Sequence, residues 1–146
     1  MDAYRFRSRW LVPADRDTLF DVLADLGSYP QWWPQVRSVE QHDAETALVV
    51  VRSLLPYALR VLATALRQDP VAGVLEARLS GDVVGWSRWT LPPEGVARPL
   101  VYEQVVVAER PLLRRLGPVA RPFFRANHAV MMRAGERGLR TRVTAG

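Results

Sequence analysis

Pro122-Phe123-Phe124-Arg125-Ala126-Asn127-His128-Ala129-Val130-Met131-Met132-Arg133-Ala134-Gly135-Glu136-Arg137-Gly138-Leu139 is the stretch on which the fold turns. At about 100° per residue from Arg121, the residues Arg125, Arg133, Glu136, Arg137 and Arg140 fall between about 0° and 160°. Phe123, Phe124, Asn127, Met131, Ala134, Gly135 and Gly138 fall between about 200° and 320°. The spacing predicts one long amphipathic helix, opened by Pro118 or Pro122 and running to about Leu139. Proline suits a first helical turn. Asn127, the sole Asn of the chain, stands in the middle of the apolar face. A buried amide without a partner costs about 1–3 kcal/mol. Asn127 therefore either bonds a strand or loop or faces a ligand. His128 lies at the edge of the same face. The small residues Ala134, Gly135 and Gly138 have two readings: close packing of the helix, or open space beneath it.

The chain before this helix reads mostly as strands. Ala3 to Val12 alternates, with Tyr4, Phe6, Ser8 and Trp10 on one face and Arg5, Arg7 and Arg9 on the other. Asp15 to Leu26 has a capping Asp15 and an apolar stripe, with Gly27 as its stop. Tyr29-Pro30-Gln31-Trp32-Trp33-Pro34 is a short helical turn or loop. One of the adjacent Trp32 and Trp33 should anchor the core and the other stay partly exposed, unless both form a lid over a cavity mouth. Strands are expected over Val36–His42, Thr46–Ser53, Tyr57–Gln68, Val74–Ser80, Val83–Leu91 and Leu100–Ala108, separated by turn signals. Tyr57–Gln68 is ambiguous with helix and is assigned from its surroundings. Trp86 and Trp89 are three apart on a strand, so at most one of them faces inward. Arg88 shares its face with Trp86. A single sheet of this kind must bury one face, and the terminal helix is the element available to cover it.

Composition bounds the function. With 146 residues, 49% hydrophobic and 24% charged, the chain is an ordinary globular one and long enough for one core. There is no Cys, which excludes disulfides, thiolate metal sites and a Cys nucleophile. With two His, His42 and His128, a multi-histidine metal centre is excluded as well. No apolar run suits a membrane span and the N-terminus lacks a signal-peptide core, so a cytoplasmic protein is expected. Every basic residue is Arg. Residues 110–142 hold nine of them against the single acid Glu136. Such a region either forms a solvated helix face or meets an anionic partner.

Val12-Pro13-Ala14, Leu19-Phe20-Asp21-Val22-Leu23-Ala24-Asp25 and Tyr29-Pro30-Gln31-Trp32-Trp33-Pro34 resemble the opening of START-like proteins. That superfamily, also called SRPBCC, includes the polyketide cyclase/dehydrase and lipid-transport families. Gly81-Asp82-Val83-Val84-Gly85 with Trp89-Thr90-Leu91 resembles a central hairpin of the group. Asn127 to Leu139 resembles the final helix of a bacterial subgroup. The resemblance implies an α+β helix-grip fold, with residues 1–146 as a single domain. A curved seven-stranded antiparallel sheet would wrap around the long C-terminal helix, with two short helices after the first strand. An apolar cavity between sheet and helix is then expected.

The function this implies is binding of a small hydrophobic molecule, lipid- or polyketide-like, by a carrier or sensor. Trp10, Trp32, Trp33, Trp89, Tyr102, Phe124, Asn127 and Met131 are the expected ligand-binding residues. Ser8, Arg88, Tyr102, Gln104, Asn127 and His128 are the polar groups of the expected interior. A cyclase, aromatase or dehydratase is the alternative, with His128 and Tyr102 as candidate acid–base groups and no metal or other cofactor. A third reading is an interaction protein that uses the Arg-rich helix. Aromatics interleaved with the Arg, which stacking on single strands would require, are missing, so no specific nucleic-acid partner is expected. A homodimer stays open.

Overall fold

The computed structural model describes residues 3–54, 58–94, 98–108 and 120–145. Strand β1 spans Tyr4–Trp10, with Tyr4 and Trp10 buried and Arg5, Arg7 and Arg9 exposed, as its alternation requires. Helix α1 covers Arg16–Ala24, and the Asp15 carboxylate caps it by accepting the Thr18 N–H at 2.8 Å. The helix ends before the expected Leu26. Its last bond runs from the Asp25 N–H to the Asp21 carbonyl, and Gly27 falls inside a 3-10 turn, Leu26–Ser28. The turn leads directly into the short helix α2, Tyr29–Trp32. Gly27 is therefore not a left-handed helix stop: positive φ occurs at other glycines.

The remaining strands are β2 (Val36–Gln41), β3 (Thr46–Val51), β4 (Leu59–Asp69), β5 (Val74–Gly81), β6 (Val83–Thr90) and β7 (Leu100–Ala108). They form one seven-stranded antiparallel sheet in the order β1-β7-β6-β5-β4-β3-β2. The ambiguous Tyr57–Gln68 segment is thus strand from Leu59 onward, and Tyr57 lies outside the described residues. From β2 to β7 each strand pairs with the next, a meander, while β1 pairs with β7. The helical pieces between β1 and β2 consequently carry the chain from one sheet edge to the other. β4 carries an irregularity between Ala65 and Arg67, where the register with β5 shifts.

The terminal helix, α3, runs over Ala120–Ala145. It extends six residues past the expected end at Leu139, and Pro122 is its third residue rather than its first. Pro118 lies outside the described residues. The extension is held in place: the Arg140 guanidinium donates to the Leu11 carbonyl, and Arg142 donates to Gln31 Oε1. The buried face is also rotated from the sequence expectation. Phe123 is 64% exposed, whereas Met132 and Leu139, which fall among the arginines by simple periodicity, are buried. The contact line is the i, i+4 row Asn127, Met131, Gly135, Leu139 and Val143, so it winds around the helix. Among the described residues no helix is long and apolar enough to cross a membrane.

The small residues are explained by close approach. A Cβ on Gly135 would meet the Trp33 and Trp10 rings, and one on Gly138 would occupy the place of the Trp32 carbonyl oxygen. The C-terminal half of α3 is therefore packed tightly, and the open-space reading fails there. Gly138→Ala is expected to lower stability by about 2 kcal/mol or more, because a backbone carbonyl cannot rotate away as a side chain could. A thermal unfolding curve of the variant checks this. An unchanged or raised midpoint would show that the helix does not rest on Trp32.

Candidate functional site

The apolar core is divided in two. One cluster gathers Trp10, Leu23, Tyr29, Trp33, Leu75, Trp89 and Leu139. The other gathers Tyr4, Leu59, Val61, Leu79, Val83, Val106 and Phe124. Val51 and Ala63 touch both. Residues of both clusters line a cavity of about 590 Å³ between the sheet and the N-terminal half of α3. The mouth carries Asp25 and Gly27 after α1, Gln41, Ala44 and Glu45 around the β2–β3 turn, and Arg67 and Gln68 on β4. Most of these mouth residues are exposed.

The aromatic wall is fixed by edge contacts. Trp10 lies 5.5 Å from Trp33 and 5.0 Å from Trp89, centroid to centroid, both in edge geometry. Trp89 continues to Tyr102 at 4.4 Å. The Trp33 indole N–H donates to the Met131 carbonyl at 2.8 Å, which joins α2 to α3. The Tyr29 hydroxyl donates to the Leu23 carbonyl at 2.6 Å, and burial pushes its phenol well above the ordinary range. Adjacent Trp32 and Trp33 are both buried, not one of the two. They manage it because the chain turns sharply after Trp32 and the rings stack at 5.4 Å.

Trp33, Trp89, Tyr102, Phe124, Asn127 and Met131 line the cavity. Trp10 and Trp32 do not. Trp10 stands behind Trp33 and Trp89, and the Trp32 ring packs on Tyr29 and Trp33, with its indole nitrogen buried and unpartnered. Trp89 faces inward and Trp86 outward. Arg88 lies outside too, bonded to Glu76 at 2.7 Å, 3.7 Å from Glu103, and with its guanidinium over the Trp86 ring. Ser8 also falls outside the lining. Tyr29 and Ser87 line the cavity without having been expected there. For Ser87 the signal was present, since it lies two residues before Trp89 on the same strand face.

Asn127 unites its two readings. Its Oδ1 accepts the Leu54 N–H at 2.7 Å, beyond the end of β3, and its side chain also borders the cavity. The Tyr102 hydroxyl donates to Gln104 Oε1 at 2.9 Å, and burial pushes its pKa up to about 12. His128 stacks on Phe6 with centroids 3.7 Å apart and planes 9° apart. Its Nε2 is buried without a partner, and burial pushes its pKa down to about 4. Among the described residues no group of three or more His, Cys, Asp or Glu could hold a metal ion.

A two-layer sheet and helix enclosing an apolar cavity is the architecture of START-like ligand-binding folds. Residues 12–136 match the family described as polyketide cyclase / dehydrase and lipid transport, and the chain belongs to that family. No curated protein matches it. Among solved structures it is similar to the Zhui aromatase/cyclase from Streptomyces sp. R1128, at 17% identity and a TM-score of 0.80 over 98% of this chain and 94% of that one. It is also similar to TTHA0849 from Thermus thermophilus, at 19% identity and a TM-score of 0.77 over 99% and 98%. A START superfamily protein from Mycobacterium smegmatis follows at 16% identity and a TM-score of 0.70 over 98% and 97%. At these identities the likeness concerns the helix-grip fold.

The buried imidazole makes stability depend on pH. Unfolded, His128 takes up a proton as pH falls through about 6.5, whereas the folded chain resists until about pH 4. Stability contributed by the neutral ring is thus full above that window and is lost as pH falls through it, by up to about 3 kcal/mol. Denaturant unfolding of the wild type and of His128→Phe, at pH 7 and about pH 4, tests this. The wild type should lose more stability on acidification than the variant. Equal losses would place the imidazole in water.

Proposed function

We propose that the chain binds a small, largely apolar molecule in the cavity and acts as its carrier or sensor. The observation that carries this reading is the gap between the two apolar clusters. Neighbouring aromatic residues are packed to contact, yet about 590 Å³ stays open beside them. A polar mouth over an apolar interior suits a ligand that leaves water largely or wholly. Trp33, Trp89, Phe124 and Met131 supply apolar contact in this reading, with Tyr102 and Asn127 as polar groups. The family supports a hydrophobic ligand.

The titration of the two candidate acid–base groups favours binding over cyclisation or dehydration. A general acid or base works best near the operating pH. Tyr102 at about 12 and His128 at about 4 stand far from neutrality on either side. The basic residues of α3 enter this reading as a solvated face, with no sequence-selective nucleic-acid complex.

Ala63→Trp tests the site, because Ala63 touches both clusters and borders the cavity. The indole should fill the open volume, so stability should stay within about 1 kcal/mol of the wild type. Uptake of an apolar fluorescent dye should fall at least about tenfold. Mass spectrometry of small molecules released from the denatured wild type should find an apolar species that the variant lacks. Unchanged dye uptake by a folded Ala63→Trp would exclude the cavity as the binding site.

A further inference from the structure

We propose that the cavity selects an uncharged ligand with a hydroxyl group partway along its apolar body, held by the imidazole of His128 and the side-chain amide of Gln104. The inference rests on the binding reading above and assigns the chemistry of the ligand. The polar atoms of the interior are not scattered. Ser87 lies directly opposite Gln104 in the β6–β7 ladder, and Tyr102 is two residues before Gln104 on the same face. Phe6 lies opposite Gln104 in the β1–β7 ladder, and His128 stacks on Phe6 from the helix side. These four polar residues therefore form one band across the cavity. Apolar side chains stand on both sides of the band: Trp33 and Trp89 in one direction, Val61, Leu79 and Phe124 in the other.

The band has hydrogen-bonding capacity left over. Gln104 uses its carbonyl oxygen to accept from Tyr102, which leaves its amide N–H groups as donors. The Nε2 of His128 is buried without a hydrogen-bond partner. A neutral imidazole carries one bare nitrogen that accepts. A ligand hydroxyl meets both demands, donating to the imidazole and accepting from the amide. A carboxylate does not, because the charged residues that border the cavity stand away from the band: Asp25, Glu45 and Arg67 at the mouth, and Glu76 bonded to the outward Arg88. The Arg67 guanidinium there is already paired with Asp69 at 3.2 Å. An anion in the band would be buried without a counter-charge.

Three flat probes of one size separate the outcomes: pyrene, 1-hydroxypyrene and pyrene-1-carboxylate, titrated by fluorescence at pH 7. The wild type should bind 1-hydroxypyrene at least about tenfold tighter than pyrene, with the carboxylate weakest. His128→Phe keeps a ring over Phe6 but offers no acceptor, so the preference for the phenol should vanish while pyrene binding stays. Equal binding of pyrene and phenol by the wild type, a preference kept by the variant, or a carboxylate that binds tightest would overturn the inference and leave the cavity reading intact. Failure of the wild type to bind any of the three would sink the cavity reading, and this inference with it. If His128→Phe does not fold, nitrogen-15 spectra of the wild type decide. The chain has two His, so His42, with its side chain 43% exposed, serves as internal reference. The bare ring nitrogen of His128 should shift with 1-hydroxypyrene and not with pyrene. A bound phenol that leaves it unshifted overturns the assignment.

Discussion

The Trp33 indole reaching the backbone of α3 holds the architecture together. Its N–H bonds the Met131 carbonyl, and its ring lies where a side chain at position 135 would otherwise project. Without a Cβ at Gly135 the indole can come close enough to bond a carbonyl one turn earlier in the helix. The same approach sets Gly138 on the Trp32 backbone. Trp32 and Trp33, at the end of α2, thus locate the whole C-terminal half of α3. Because Trp33 also meets Trp10 edge-on, the position of the helix is tied to β1 at the sheet edge.

That tight half accounts for the loose one. With its C-terminal end pinned, α3 is held over the sheet at the level of Phe124 to Met131, where the strand residues lining the cavity include the short Val51, Val61, Ala63 and Ala77. These side chains are too short to close the gap. The Asn127 bond to the Leu54 backbone anchors the helix a second time, at the cavity itself. The helix over the cavity is thus held by indoles at its C-terminal half and by an amide within the cavity wall.

Much of this was legible in the sequence, and the reasons for the misses are physical. Period-two alternation is a local property, so β1 could be read directly, whereas Tyr57–Gln68 suits a helix as well and took its strand assignment from the segments around it; the strand is Leu59–Asp69. Asn127 stood out because a lone amide on an apolar face must be satisfied somewhere. Met132 and Leu139 did not stand out, since a fixed-angle projection assumes a straight contact stripe, whereas the real one follows the i, i+4 row around the helix. The extension to Ala145 was hidden because Thr141, Val143 and Thr144 are weak helix formers, and tertiary bonds from Arg140 and Arg142 to the N-terminal region override that preference. Trp10 and Trp32 were assigned to the ligand because indoles suit cavities. Their burial behind other rings depends on tertiary contacts that no local pattern encodes. Ser87 could have been placed on the inner face from Trp89 two residues on, and only its position beside Gln104 needed the strand register.

The arrangement of β1 has one more consequence. Among the described residues it is an edge strand, its far side unpaired within the sheet, and it is uninterrupted over seven residues. Such an edge is a template for another strand. Here every second side chain is Arg: Arg5, Arg7 and Arg9 stand exposed on its outer face. A second β1 laid alongside would bring guanidinium against guanidinium along the ladder, and like charges directly opposite one another oppose pairing. The alternation that turns Tyr4, Phe6 and Trp10 inward thus also places a charge barrier on the growing edge, so that sheet extension into fibrils is resisted by the same residues that set the strand's register.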